Sequence, residues 1–138
     1  MKLFRMAIFA FVFAVSGAVL ARTPEAIVNV VDEPAVAASG KTLTAEEVKD
    51  AITKAAQTKN WVVTPTVDGK LVASLSWRNN KHTIMVEITC APNRYSILYK
   101  DSINMDYGTW NDEPSIHPYY NRYVKELRDA IRVQMLHL

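Results

Sequence analysis

The stretch IHPYYNRYVKEL at residues 116–127 sets His117, Asn121 and the three tyrosines Tyr119, Tyr120 and Tyr123 close together. An imidazole with a partner carboxylate is the commonest general base. Asp101, Asp106 and Asp112 stand in the segment just before, DSINMDYGTWNDEPSIH. His117 also precedes Pro118, where a polar side chain can cap or staple a helix that begins at the proline. Tyr95 and Tyr99 share one face of an alternating run, and buried tyrosine hydroxyls need partners. Ser102, Asn104, His117 and Asn121 are the polar groups within sequence reach. The candidate site is therefore Tyr95, Tyr99, Ser102, Asn104, His117, Tyr120 and Asn121, either a satisfied core network or one wall of a small-ligand pocket.

Other chemistries find less support. His82, His117 and His137 are the only histidines, and none has zinc-ligand spacing to another or to Cys90. A calcium loop fails by count: starting at Asp101 puts Ile103 at a ligand position, and starting at Asn104 puts Thr109 where a glycine must turn. The chain has four glycines, no phosphate-cradling loop, no Gly-x-Ser-x-Gly elbow and no Ser-x-x-Lys. Asp112 and Glu113 are adjacent in a loop and suit a solvated surface. Arg78, Lys81, Arg94 and Lys100 fall at strand ends, as a basic strip or as a solvated sheet face. No cofactor is expected.

The elements that must hold these groups follow from periodicity. Thr44 begins TAEE, a capping box in which Glu47 reaches back to the cap residue. Val48, Ile52 and Ala55 then recur at helical spacing, which predicts a helix over 45–59 closed by Lys59-Asn60. KLVASLSWR, KHTIMVEIT and RYSILYK alternate apolar and polar residues and predict an antiparallel meander. Asn79-Asn80 suits a two-residue hairpin turn between the first two runs, and Pro92-Asn93 a turn before the third. Pro65 demotes WVVTPTV to an edge or irregular strand, and Trp61 at the helix-to-sheet junction is expected to anchor the core.

Residues 22–43 are expected to form an extended arm with an edge strand at AIVNVV, and residues 101–117 an irregular, functional loop. From Pro118 a second helix carries the apolar stripe Tyr120, Val124, Leu127, Ile131 and Met135. The sum is a single small α+β domain over 44–138: a helix, a three- to four-stranded antiparallel meander and a C-terminal helix, with both helices on one face of the sheet.

Residues 1–21 have a different character. Lys2 and Arg5 precede an uncharged run that ends in Val19-Leu20-Ala21, the pattern of a signal peptide cleaved before Arg22. The alternative is a retained anchor, although the apolar run is shorter than a span needs. Lys2 and Arg5 are two of the 16 basic residues, so residues 22–138 hold 14 basic against 14 acidic residues. That balance disfavours nucleic acid or an anionic membrane as partner. Cys90 is the one cysteine; it cannot form an internal disulfide, and its place after TIMVEIT suits a small core hydrophobe.

From about Asn29 to Leu136 the chain resembles a group of small exported proteins and lipoproteins of Gram-negative bacteria, generally described as uncharacterised. The resemblance rests on Tyr95, Ser96, Ile97, Tyr99, Ser102, Asn104, Ile116, His117, Tyr120 and Asn121. Members often carry a lipobox cysteine at the cleavage site; none stands there in this chain, which favours periplasm over a lipid anchor. Where relatives often have tryptophan, this chain has Tyr123. The resemblance implies a compartment and a fold and carries no activity.

The expected function is thus a non-catalytic periplasmic module that binds a protein or a small ligand through the 101–117 loop and the tyrosines, with no stable membrane span after cleavage. An envelope hydrolase using His117 with Asp101, Asp106 or Asp112 is one alternative, and a structural envelope protein is the other.

Overall fold

A computed structural model describes residues 22–138, and residues 1–21, where a signal peptide is expected, lie outside the described residues. In chain order the elements are β1 (Glu25–Ala26), β2 (Val30–Pro34), α1 (Ala45–Thr58), β3 (Val62–Pro65), β4 (Leu71–Trp77), β5 (His82–Ala91), β6 (Arg94–Ile103), β7 (Gly108–Trp110), β8 (Glu113–Ile116) and α2 (Tyr119–Met135). The class is α+β, with two antiparallel sheets ordered β2-β6-β5-β4-β3 and β1-β8-β7.

The local signals explain the first helix. Thr44 Oγ1 accepts the Glu47 N–H at 3.1 Å while Glu47 Oε2 accepts the Thr44 N–H at 3.2 Å, completing the capping box. At the other end Asn60 turns left-handed (φ 65°). The Asn60 N–H then reaches Gln57 O at 3.2 Å and the Trp61 N–H reaches Ala56 O at 3.0 Å. This pair of bonds is a Schellman closure, and it delivers Trp61 to the core, where it is buried.

The meander β3-β4-β5-β6 has four strands, and β2 adds a fifth at its edge. β3, which carries Pro65, forms the opposite edge, where a missing N–H is harmless. Leu71, Ala73, Leu75, Ile84, Val86, Ile88, Tyr95 and Ile97 point to one face and are buried. They form a single cluster with Val48, Ile52 and Ala55 of α1 and with the whole predicted stripe of α2, so both helices cover the same face.

Three expectations change. The β4–β5 connection is a four-residue loop, because Trp77 and His82 are the last paired residues and Arg78, Asn79 and Asn80 are all left-handed (φ 52°, 56° and 62°). The AIVNVV segment splits: β1 joins β8, while β2 joins β6 with an irregularity at left-handed Asp32. The stretch 101–117 is largely ordered as strand. β6 runs on to Ile103, and β7 and β8 form a hairpin closed by Asn111-Asp112, both at positive φ (51° and 61°). Positive φ at both central residues matches the right-handed twist of the strands. Pro114 and the shortness of both strands masked that signal in the sequence.

A bulge in β6 matters for the site. Met85 pairs with Asp101 but Val86 pairs with Tyr99, so Lys100 is an extra residue. Strand residues three apart normally face opposite sides; here the bulge shifts the phase, and Ser102 joins Tyr99 on the covered face. The Pro92-Asn93 turn has a second task. Asn93 Oδ1 accepts the Leu43 N–H at 2.8 Å and Asn93 O accepts the Ala35 N–H at 2.8 Å, which ties residues 35–43 to the sheet end.

Candidate functional site

Two clefts take up four of the predicted site residues, His117 and Asn104 at one and Tyr99 and Ser102 at the other. The first lies at the head of α2, with a volume of about 240 Å³, where the β4–β5 loop, the end of β6 and residues at the start of the arm converge. His82 stacks on Trp77 with ring centroids 5.4 Å apart. Trp77 meets Tyr123 at 5.0 Å, Tyr123 meets Tyr119 at 6.1 Å, and Tyr119 meets His117 edge-on at 4.5 Å. Five rings thus form a continuous array. The Arg22 guanidinium lies 4.7 Å over the Tyr119 ring, and Arg122 lies 5.5 Å from Tyr119 and 5.7 Å from Tyr123, distances at which a cation is drawn to a π face.

The hydrogen bonds define how the two imidazoles present themselves. His117 Nδ1 accepts the Tyr119 N–H at 3.1 Å, capping the free end of α2, so the neutral ring keeps its proton on Nε2. Its backbone N–H is held by Met105 O at 2.8 Å. His82 Nδ1 lies 3.0 Å from Asn104 O, a carbonyl that only accepts, so Nδ1 carries the proton there. Asn104 is left-handed (φ 58°), which turns its carbonyl toward His82; this backbone atom, and not its side chain, brings Asn104 to the site.

Burial holds the His117 imidazole below its ordinary pKa; Asp106 opposes this, while Arg22 and His82 reinforce it. None of the ion pairs among the described residues involves His117. Asp101 accepts the Ser102 N–H at 2.8 Å, and Asp112 occupies the β7–β8 turn. The depressed pKa has a stability consequence. Below the ordinary value of 6.5 the unfolded chain takes up a proton that the folded ring resists, and a protonated ring also loses the Nδ1 acceptor. Stability from His117 is therefore present above that value and lost as the pH falls beneath it. The urea midpoint of the wild type should fall further between about pH 7.5 and 5.5 than that of His117→Asn, which carries no titrating ring. An equal fall in both would remove His117 as the cause.

The second cleft holds two more tyrosines, Tyr99 and Tyr107. Tyr99 stacks on Tyr107 at 4.6 Å and 10°, and meets Tyr120 edge-on at 5.5 Å and 71°. The Tyr99 hydroxyl is 2.8 Å from Ser102 Oγ, the partner supplied by the β6 bulge. Asn29 Oδ1 accepts the Tyr99 N–H at 3.1 Å, and with Tyr107, Glu113 and Pro114 these residues border a cleft of about 430 Å³. Burial raises the Tyr99 hydroxyl pKa, partly offset by Ser102.

The other candidates lie elsewhere. Tyr120 is fully buried, and among the described residues its hydroxyl has no hydrogen-bond partner. Tyr95 is buried at the other end of the sheet, beside Glu33, Ile131 and Met135, and burial pushes its hydroxyl up to about 12. Asn121 fastens the arm: Oδ1 accepts the Val28 N–H at 2.9 Å, while Nδ2 donates to Ala26 O at 2.8 Å and Glu25 Oε1 at 3.0 Å. The supposed basic strip does not assemble, because Arg78 and Arg94 flank opposite ends of β5.

Sequence reasoning passed over Trp77, His82, Tyr107, Arg22 and Asn29 as site residues. The pairing of Trp77 with His82 across a hairpin was the one signal open to it. Cys90 is half-buried against the core, and burial pushes its thiol up to about 11, which makes it a poor nucleophile near neutrality. Among the described residues no cluster of three His, Cys, Asp or Glu side chains is placed to hold a metal ion. No described helix is long and apolar enough to cross a membrane.

The fold and the cleft thus define a small α+β domain with an aromatic and cationic pocket at a helix start. Comparison with protein-family models, with curated proteins and with solved structures finds no match to this chain.

Proposed function

We propose that the chain is an exported, non-catalytic binding module whose ligand sits against the ring array at the head of α2. The observation that carries this reading is the array itself: Trp77, His82, Tyr119 and His117 line the cleft with Arg22, and Tyr123 and Arg122 continue the array beside it. Rings with polar edges and cations on their faces favour flat or polar ligands over purely apolar ones. Both imidazoles have one nitrogen committed to the backbone, which suits positioning and donation more than proton shuttling.

Export is supported by the composition of residues 1–21 and by the resemblance to small exported proteins of Gram-negative bacteria. Mass spectrometry of the exported protein should find its first residue at Arg22, and an intact Met1 would overturn that part of the proposal. Binding is tested through the tryptophan indole N–H signals of the exported chain during titration with fractionated soluble envelope material. Trp61 is buried in the core, Trp110 is exposed on β7 and Trp77 lines the cleft, so the three report on separate places. A shift confined to Trp77 is the expected result. Steady consumption of an added compound would favour the hydrolase reading, and a shift at Trp110 alone would move the site to the β7–β8 hairpin.

A further inference from the structure

Resting on the binding reading, we infer that the cleft at the head of α2 takes a phosphate-bearing group. Arg22 and Arg78 enter the cleft from chain segments far apart in sequence, and neither forms an ion pair among the described residues. Residues 1–21 contain no Asp or Glu, so that segment has no acidic side chain to offer them. The nearby carboxylates are largely committed: Glu25 takes the Asn121 amide at 3.0 Å, and Glu126 pairs with Arg122 at 3.3 Å. Asp106 is the acidic group left near His117.

The donors are also positioned. The Arg22 guanidinium lies 4.7 Å over the Tyr119 ring, and among the described residues no hydrogen bond or ion pair takes up its N–H groups. Arg78 sits at φ 52°, a conformation that L side chains other than asparagine and aspartate seldom adopt. With Nδ1 occupied, the neutral His117 ring offers an Nε2–H. A carboxylate is satisfied by one guanidinium fork, whereas a phosphate has three outer oxygens and a second charge, which two forks and an imidazole donor match. The volume of about 240 Å³ lies below the usual range for whole small-molecule ligands, which suits the phosphate end of a compound whose remainder extends along Trp77 and Tyr119.

The test titrates the exported chain with glycerol phosphate, inorganic phosphate and acetate at about 0.15 M salt, where exposed charges are screened beyond about 8 Å. Vesicles of phosphatidylcholine with and without phosphatidic acid separate a lipid headgroup from a soluble phosphate. Saturable binding of a phosphate probe that weakens about tenfold or more in Arg78→Asn and in Arg22→Gln, but not in Arg94→Gln, is expected; asparagine tolerates the left-handed backbone at 78. Equal binding of acetate, equal loss in Arg94→Gln, or no saturation with any phosphate probe would overturn the assignment. A neutral envelope compound that shifts Trp77 while every phosphate probe fails would leave the binding module standing and remove the phosphate. A thermal midpoint recorded for each variant separates loss of the site from loss of the fold.

Discussion

Tyr120→Ala should lower the unfolding free energy by about 3–5 kcal/mol, the range for deleting a buried aromatic ring. Tyr120→Phe should leave it unchanged or raise it by up to about 1 kcal/mol. Both follow from one geometry. The ring is fully buried where α2 meets the sheet, edge-on to Tyr99, and so cannot be truncated without leaving a cavity. Its hydroxyl, without a partner among the described residues, has given up water and gained no bond. The raised pKa of that hydroxyl, caused first by burial, agrees with a poorly solvated group. Urea denaturation of the two variants checks the pair. A loss below about 1 kcal/mol for Tyr120→Ala would mean that the site collapses around the gap. A clear loss for Tyr120→Phe would mean that the hydroxyl is bonded in solution.

Asn121→Ala should cost about 2–3 kcal/mol, because three hydrogen bonds of roughly 0.5–1.5 kcal/mol each disappear together. All three run from the first turn of α2 to residues 25–28, which are otherwise held mainly by the two-residue pairing of β1 with β8. Hydrogen exchange gives the sharper readout: the Val28 amide should lose its protection while Ile88 and Ile97 in the central strands keep theirs. Asn121→Asp keeps the acceptor for Val28 but sets a carboxylate beside Glu25, so it should be no more stable than the alanine variant. Retained protection at Val28 in Asn121→Ala would assign the anchoring to β1 instead. The same arm carries Arg22, so loosening it should also weaken any ligand held at the head of α2.

Where residues near in sequence set the outcome, the sequence was legible. The Thr44–Glu47 box, the Lys59-Asn60 closure, the alternation of β4 to β6 and the five-residue stripe of α2 all lie in the structure where periodicity and capping put them. The irregular reading of 101–117 failed for a physical reason. β7 and β8 are three and four residues long, and β1 has two, so none carries enough alternation to register; they are strands because they pair with one another.

The site was legible only in part. Tyr99 and Ser102 do meet, through a bulge that the sequence did not announce, and Asn104 arrives through its carbonyl. Tyr95 and Asn121 are separated from the clefts by the length of a strand and the turn of a helix. By itself the sequence determined the class of fold, the helix ends and the inward face of each long strand, because those depend on contacts within a few residues. Only the tertiary structure decided that Trp77, His82, His117, Tyr119 and Arg22 share one cleft. Their convergence depends on a hairpin end, a bulged strand, a helix start and an arm meeting at one corner, and nothing in local periodicity encodes the distance between such elements.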